Sequence, residues 1–450
     1  TQACNGNVNE PRHDLRDPLL TRPAVVTYGG EAGEPRIVVY SLTNDGALHA
    51  FDPHTGRERW AFIPWDRLER MLALYRDRAA RPRTSLGLDG PLRVLTLDRN
   101  GNGQVEPAAD GSGDRVILYF GMRRGGRNLY AVDVTDVDFE DPAGDRPRLL
   151  WIAGPGDDAG IDAERRLPLA GQSWSRPVVA RLKVPGHRGL DDLVVMFAGG
   201  YDPATQDSHD GKPRPYADDS VGTGLYAVDA LTGRRVWRAG PDAGADLRLA
   251  ALTATIPGDL AVLDLTGDGY ADAAYFADLR GRVWRVDFDP SAVEVASLAS
   301  GGILADLGGE GIEGARRFFT SPDVSSVIEG GRRWLNVAIG SGNREMPLSD
   351  RTTRDRFYSL RDHEGLRRRD WSRTLPITEA DLVDVTPDGG AGGVQAAVPA
   401  GAAGWLLRLE SQPGEKAISS SRTFDHTVFF PTFVPAARAI EEAAIEEACD

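Results

Sequence analysis

The sequence predicts an all-β protein, a β-propeller of about seven four-stranded blades with loop and short helical insertions. Three observations favour this fold class. One motif recurs along the chain, apolar and polar residues alternate within the predicted strands, and several repeats open with the same proline. A propeller accounts for all three, because it repeats one four-stranded sheet around an axis and buries each sheet against its neighbours.

The repeated motif is clearest in two segments of the chain. "NDGALHAFDPHTGRERW" (44–60) recurs as "GTGLYAVDALTGRRVW" (222–237). The spacing from Asp52 to Trp60 in the first copy equals the spacing from Asp229 to Trp237 in the second. Looser copies are "GGRNLYAVDVTD", "LRGRVWRVDF", "DRFYSLRD" and "GWLLRLE". We therefore count six visible units, and a seventh blade would be shared between the chain ends or incomplete.

Each unit is predicted to hold an apolar strand, a Gly-rich turn, an alternating strand, an Asp-x-x-Thr-Gly hairpin and a last strand ending in Trp. "TRPAVV", "SRPVVARL" and "TSPDVSSV" open three of the units, and a proline is well suited to the first residue of a strand. We expect Trp60, Trp237 and Trp284 to pack within or between blades.

The spacing between units varies because of insertions. The segment that begins at Trp65 has apolar residues at helical spacing, whereas the segment that begins at Tyr201 is polar and is predicted to be a long loop. We assign residues 1–20 to an N-terminal segment and residues 21–450 to a single propeller domain.

The composition narrows the classes of partner. A formal net charge of -15 argues against nucleic acid or an anionic membrane as the main partner, and it is compatible with cation binding. We expect no membrane span, because no apolar run approaches the length that a helix needs to cross a bilayer. The two cysteines, Cys4 and Cys449, stand near opposite ends of the chain; they could pair with each other, remain free thiols or bridge to other segments.

The stretch "LDLTGDGYAD" predicts a calcium loop. Its oxygen-bearing residues occupy positions 1, 3, 5, 7 and 9 of the calcium-loop pattern, with a glycine at position 6 where the chain turns sharply. Tyr270 would offer its backbone carbonyl. The predicted ligands of the Ca²⁺ cofactor are Asp264, Thr266, Asp268, Tyr270 and Asp272. The alternative is a polar turn between two strands, but such a turn needs only one or two of these residues.

A second stretch, "LDRNGNGQVEPAAD", has the same spacing and fewer carboxylates near its start. It predicts a second possible metal loop, and the alternative is an Asn-Gly hairpin turn. Its candidate ligands are Asp98, Asn100, Asn102, Gln104, Glu106 and Asp110.

Catalytic motifs are absent from the sequence, so we expect a protein that is not an enzyme. It has no H-E-x-x-H, no G-x-S-x-G and no phosphate-binding glycine loop. Asp278 and Asp287 could form a carboxylate pair, but they are more simply interpreted as residues at the ends of strands.

Eight stretches of the chain also resemble a known family. In chain order they are "LTNDGALHAFDPHTGRERWAFIP", "LYFGMRRGGRNLYAVDVT", "SWSRPVVARL", "FAGGYDP", "VLDLTGDGYADAAYFADLRGRVWRVDF", "IGSGNRE", "DRFYSLRD" and "GEKAISSSRTFDHTVFFPTFVP". They are similar to the C-terminal propeller of the PilY1/PilC family of type IV pilus proteins, over residues 21–435.

The resemblance implies a secreted protein of a Gram-negative bacterium, located at the pilus tip, the cell surface or in the periplasm. It implies minor pilins and pilus tip components as partners, and a role in pilus biogenesis, adhesion and twitching motility. In this family the calcium loop tunes pilus extension against retraction. Adhesion to host or abiotic surfaces would depend on regions outside this chain.

The resemblance also has departures and alternatives. Thr266 stands where the family more often has Asn or Asp, and the von Willebrand-like adhesive domain of many members is absent from these residues. The Thr-Gly-x-x-x-Trp repeat is shared with quinoprotein dehydrogenases, whose adjacent Cys-Cys pair this chain lacks. A periplasmic propeller that scaffolds an assembly machine without a pilus role is the other alternative.

Overall fold

The structure is a computed structural model. It describes residues 18, 21–31, 34–68, 87–106, 113–156, 160–207, 218–329, 331–387 and 397–435. These residues form strands and turns, together with the short helix α1 (Pro203–Gln206). Single 3-10 turns are Trp65–Arg67, Arg123–Gly125, Pro142–Gly144, Leu190–Asp192, Val295–Ser297 and Glu379–Asp381.

The first two sheets are four-stranded antiparallel meanders, in which each strand pairs with the next along the chain. The first sheet comprises β1 (Ala24–Glu31), β2 (Glu34–Leu42), β3 (Leu48–Phe51) and β4 (Glu58–Phe62). The second comprises β5 (Leu92–Leu97), β6 (Arg115–Gly121), β7 (Leu129–Asp133) and β8 (Arg148–Ala153).

The next two sheets repeat this order, and the third adds a parallel strand at its outer edge. The third sheet comprises β9 (Val178–Arg181), β10 (Leu193–Ala198), β11 (Leu225–Asp229), β12 (Arg235–Gly240) and β13 (Leu247–Arg248). The fourth comprises β14 (Ala261–Leu263), β15 (Ala273–Ala277), β16 (Arg282–Phe288) and β17 (Ala299–Asp306).

The fifth sheet also carries a parallel edge strand, and a two-stranded hairpin follows it. The sheet comprises β18 (Asp323–Glu329), β19 (Arg332–Gly340), β20 (Arg356–Asp362), β21 (Val383–Asp384) and β22 (Gly404–Arg408). The hairpin comprises β23 (Arg422–Phe424) and β24 (Thr427–Phe429), and β23 contacts β18.

These sheets confirm the all-β propeller and correct the count of sequence units. The stretches "DRFYSLRD" and "GWLLRLE" had been counted as two units, but they are β20 and β22, which pair antiparallel within the fifth sheet. Similar strand sequences inside one sheet look like separate repeats when pairing is unknown. The described residues therefore form five sheets of four or five strands and one hairpin, compared with the prediction of about seven blades.

The repeated motif has one geometry wherever it is well preserved. The Asp52 carboxylate accepts the amide of Thr55 at 3.2 Å, and the Asp229 carboxylate accepts the amide of Thr232 at 2.7 Å. The glycine after each threonine donates its amide to the carbonyl of the same aspartate, at 2.9 Å in both copies. The Asp-x-x-Thr-Gly sequence therefore forms a turn between the third and fourth strands, and the aspartate of the motif accepts the amides of that turn.

The tryptophans pack as predicted from the repeat. Trp60 and Trp237 stand opposite an alanine of the neighbouring strand, at a register shift. Trp151, which was not predicted, occupies the same place in the second sheet. Trp237 and Trp284 are almost completely buried.

The core lies between neighbouring sheets. One apolar cluster joins the first and second sheets, another the second and third, another the third and fourth, and another the fourth and fifth. Each large apolar side chain buried in this way contributes about 1.5–3 kcal/mol, so the stability of the fold is spread around the ring. A surface loop between two strands can therefore change without loss of the core.

Candidate metal centre

The predicted calcium loop, residues 264–272, connects the first and second strands of the fourth sheet. The Asp264 carboxylate accepts two backbone amides from within the loop, that of Gly267 at 2.6 Å and that of Gly269 at 2.8 Å. Both glycines have positive φ, 77° and 86°, which favours glycine over other residues. Asp264 thus fixes the sharp turn that the sequence pattern predicts.

Asp272 closes the same loop immediately before β15. One of its carboxylate oxygens accepts the amides of Leu265 at 2.7 Å and Thr266 at 2.8 Å. Its own amide donates to the carbonyl of Leu263 at 2.8 Å. The two ends of the loop are therefore held together by an aspartate at each end.

Asp268 is at the exposed tip of the loop. Its carboxylate accepts the Tyr270 amide at 2.9 Å, and the Lys183 ammonium lies 3.7 Å from its other oxygen. The amide hydrogen bond, and then the ammonium, hold the pKa of Asp268 below its usual range. This carboxylate therefore stays ionised at neutral pH, as a metal ligand requires.

The loop is attached to the preceding sheet. The Ala271 amide donates to the carbonyl of Arg181, in β9, at 2.9 Å. The Tyr270 hydroxyl donates to Asp192 at 3.1 Å, and the Lys183 ammonium lies 4.2 Å from the centre of the Tyr270 ring. Residues of the loop therefore form part of the contact between the third and fourth sheets.

The second predicted loop has the same backbone frame. It connects β5 and β6, the first and second strands of the second sheet. The Asp98 carboxylate accepts the amides of Gly101 and Gly103, both at 2.7 Å, as Asp264 does in the other loop. The Val105 amide donates to the carbonyl of Tyr28, in β1, at 3.1 Å, so this loop is also attached to the preceding sheet.

The other predicted ligands of this loop are largely engaged with one another. The side-chain oxygen of Asn100 accepts the Asn102 amide at 3.0 Å, and that of Asn102 accepts the Gln104 amide at 2.8 Å. The Asn100 side-chain amide donates to the Glu106 carboxylate at 2.9 Å. Neutral amides therefore satisfy most of the polar groups in this loop.

The structure identifies Asp114 as a residue that the sequence analysis missed. Its carboxylate accepts the amides of Arg99 at 2.8 Å and Glu106 at 3.0 Å, so it closes the loop as Asp272 does. The Arg99 hydrogen bond, and then that of Glu106, lower the pKa of Asp114. The available signal was its place directly before β6, which matches Asp272 before β15. Asp110, the predicted ligand, lies outside the described residues.

The donors of the 264–272 loop have the chemistry that Ca²⁺ prefers, because they are all oxygens and three are carboxylates. Their arrangement is less complete. In the part of the chain that the structure describes, no group of three or more His, Cys, Asp or Glu side chains is placed to hold a metal ion. The backbone turn is therefore formed, while the carboxylates of Asp264 and Asp272 are directed at the loop's own amides.

Asp278 and Asp287 form no carboxylate pair, and both have structural partners. Asp278 accepts hydrogen bonds from the Arg282 guanidinium and the Trp284 indole, each at 2.8 Å. Asp287 pairs with Arg285, and burial is the main reason that the pKa of each aspartate is raised. Asp278 directly follows β15 and Asp287 is the penultimate residue of β16, in agreement with the interpretation that both stand at strand ends.

Comparison with known proteins identifies one family. The model of the PilY1 beta-propeller domain matches residues 22–302 of this chain, more than half of its length. A type IV pilus biogenesis factor PilY1 of Pseudomonas aeruginosa is 31% identical over 252 residues, which is 55% of this chain and 17% of the relative. A PilY1 homolog of Xylella fastidiosa is 26% identical over 261 residues, 58% of this chain and 17% of that relative.

A solved structure agrees with the fold. The crystal structure of the Pseudomonas aeruginosa PilY1 C-terminal domain superposes with a TM-score of 0.57 at 22% identity, covering 89% of this chain and 76% of that one. The curated relatives are much longer, and the part that this chain matches is less than a fifth of their length. The described residues include no helix long and apolar enough to cross a membrane.

Proposed function

This chain belongs to the PilY1 β-propeller family, and on that basis we propose that it is the calcium-binding propeller of a type IV pilus assembly and tip protein. In this role it promotes pilus biogenesis and adhesion, and it modulates extension against retraction. Its partners are minor pilins and other tip components, and it acts outside the cytoplasm, at the pilus tip, the cell surface or in the periplasm.

The observation that carries the calcium assignment is the preformed turn of the 264–272 loop. A calcium ion would take oxygen ligands from Asp264, Thr266, Asp268, the Tyr270 carbonyl and Asp272. It would supply the positive charge that these three carboxylates need when they are close together. At about 4 Å, two like charges repel by about 1 kcal/mol in water and more near a protein surface. The 98–106 loop is the weaker candidate for calcium binding, and Asp114 has the position in it that Asp272 has in the 264–272 loop.

The attachment of the loop to the third sheet supports the proposed regulatory role. The amide of Ala271 and the hydroxyl of Tyr270 join the loop to the third sheet. An ion that orders the loop therefore also stabilises the contact between the third and fourth sheets. Loss of the ion would loosen this contact and alter the surface that the propeller offers to its pilus partners.

The test is Asp268→Ala. This change removes the exposed central ligand and the partner of Lys183, so calcium affinity measured by calorimetry is expected to fall roughly tenfold or more, because charge count sets affinity in such loops. The fold is expected to survive, since the lost amide hydrogen bond contributes only about 1 kcal/mol. In cells that carry the full-length protein, we expect a change in pilus number with normal secretion.

The matched control is Glu310→Ala, which removes one carboxylate from an exposed turn after β17. It is expected to leave calcium affinity and pilus number unchanged. Wild-type calcium affinity in Asp268→Ala would refute the site. Lost calcium binding with normal pili would keep the site and refute its regulatory role.

A further inference from the structure

A cavity of about 650 Å³ lies where the first strands of the sheets converge. Its lining includes residues at or just before β1, β5, β9, β14, β18 and β23, the opening strand of each sheet and of the hairpin. The cavity is therefore at the centre of the ring. Its volume is within the range of about 300–1,000 Å³ that is typical of small-molecule sites.

The charge of this cavity is opposite to that of the protein. The chain has a formal net charge of -15, yet six arginines line the cavity: Arg22, Arg93, Arg123, Arg176, Arg344 and Arg422. Two aspartates also line it, and both have partners. Asp259 accepts the Arg176 amide at 2.6 Å and lies 3.7 Å from the Arg176 guanidinium, and Asp323 accepts the Thr423 hydroxyl at 2.7 Å.

Arg123 is the most constrained of these arginines. It is 8% exposed, and its backbone has a φ of 51°, in the left-handed region that non-glycine residues seldom adopt. Its guanidinium lies over the Trp174 ring, 4.1 Å from the centre, and its Nε has no hydrogen-bond partner among the described residues. A buried cation with an unsatisfied donor is costly unless a partner satisfies it.

Nearby charges add to this cost. Burial, and then the neighbouring Arg344 guanidinium, lower the pKa of Arg123 to about 9, although Asp89 and Asp259 act in the opposite direction. Burial also lowers the pKa of Arg344; Asp259 acts in the opposite direction, and Arg22 adds to the lowering. Both side chains remain charged at neutral pH, so they face the cavity as cations that repel one another.

We propose that the central cavity binds a multivalent oxyanion, whose carboxylate or phosphate oxygens pair with Arg123, Arg344 and the arginines beside them. The planar guanidinium matches the geometry of both groups through paired hydrogen bonds. The oxyanion belongs either to a small molecule or to an acidic segment of a partner protein. This assignment is independent of the calcium loop, because no residue of 264–272 lines the cavity; the nearest lining residue in the chain is Leu263, at the end of β14.

The test is calorimetric titration of the chain in calcium-free buffer, so that the probes do not chelate calcium. The probes are citrate, pyrophosphate and an amidated peptide of alternating aspartate and glutamate. We expect at least one to bind and to raise the melting temperature. Arg344→Gln and Arg22→Gln are each expected to weaken binding roughly tenfold or more, as loss of a charge-assisted hydrogen bond does. Arg123→Gln adds a third variant if it folds.

The control is Arg332→Gln, which removes an exposed arginine at the start of β19, outside the cavity lining, and is expected to leave binding unchanged. Binding of citrate or pyrophosphate would assign a small-molecule ligand, and binding of the peptide alone would assign a protein partner. The proposal is overturned if no probe binds, or if the cavity variants bind as tightly as Arg332→Gln.

Discussion

The 264–272 loop and the 98–106 loop have the same backbone frame and different charge. In both, an aspartate directly after the first strand accepts two glycine amides, and an aspartate directly before the second strand closes the turn. In both, the residue at position 8 donates its amide to the first strand of the preceding sheet. The frame is therefore a feature that the propeller repeats in two of its sheets.

The two loops differ in the partners of the polar side chains at their tips. In the 98–106 loop, the Asn100 side-chain amide donates to the Glu106 carboxylate, and the Asn100 side-chain oxygen accepts the backbone amide of Asn102. In the 264–272 loop, the tip carboxylate of Asp268 has the Lys183 ammonium, 3.7 Å away, as its nearest positive charge. Under the proposed calcium binding, side-chain charge and not the turn itself distinguishes the two loops.

Calcium removal should produce the largest difference between the loops. With calcium at about a hundred times its dissociation constant, binding stabilises the loop by about 2.7 kcal/mol. Chelation is therefore expected to accelerate hydrogen exchange at the Ala271 amide up to about a hundredfold, as measured by NMR or mass spectrometry. The Val105 amide is the internal control, because it makes the equivalent hydrogen bond in the other loop. Equal acceleration at both amides would contradict the comparison.

A smaller effect is expected from converting one loop towards the other. The double change Asn100→Asp and Asn102→Asp adds two carboxylates to the existing frame, so calcium affinity at the 98–106 loop should rise roughly tenfold. Calorimetry would report this as an added or strengthened site. The control replaces both residues with Ser, which keeps oxygen donors without charge. Similar affinity in both double variants would show that charge is not the deciding feature.

The smallest effect is expected from Lys183→Met. Its ammonium lies beside Asp268 and repels an incoming cation, so removing this charge should raise calcium affinity roughly twofold to fivefold, the range of an exposed ion pair. Titrations at low and high salt would check this, because added salt screens the interaction. Lys183→Arg keeps the charge and should resemble the wild type. A lower affinity in Lys183→Met would mean that the lysine orders the loop instead.

The sequence predicted most of the local geometry in these regions. Asp264, Gly269 and Asp272 have the turn-forming roles that their spacing indicates, and the Asp-x-x-Thr-Gly hairpins form as expected. Such contacts join residues fewer than ten positions apart, so a single stretch of sequence contains all the partners. Asp114 was missed because an insertion separates it from the rest of its loop and moves the closing aspartate beyond the calcium-loop spacing.

The sequence alone determined the all-β class, the repeated strand and turn pattern, and the two acidic loops, because each depends on periodicity or on neighbours along the chain. Only the tertiary structure showed that β20 and β22 belong to one sheet, that each loop is attached to the preceding sheet, and that six arginines from distant segments meet in one cavity. The physical reason is the arrangement of the sheets around one axis. Residues far apart in the chain become neighbours when sheets pack around an axis, and no local pattern records which of them will meet.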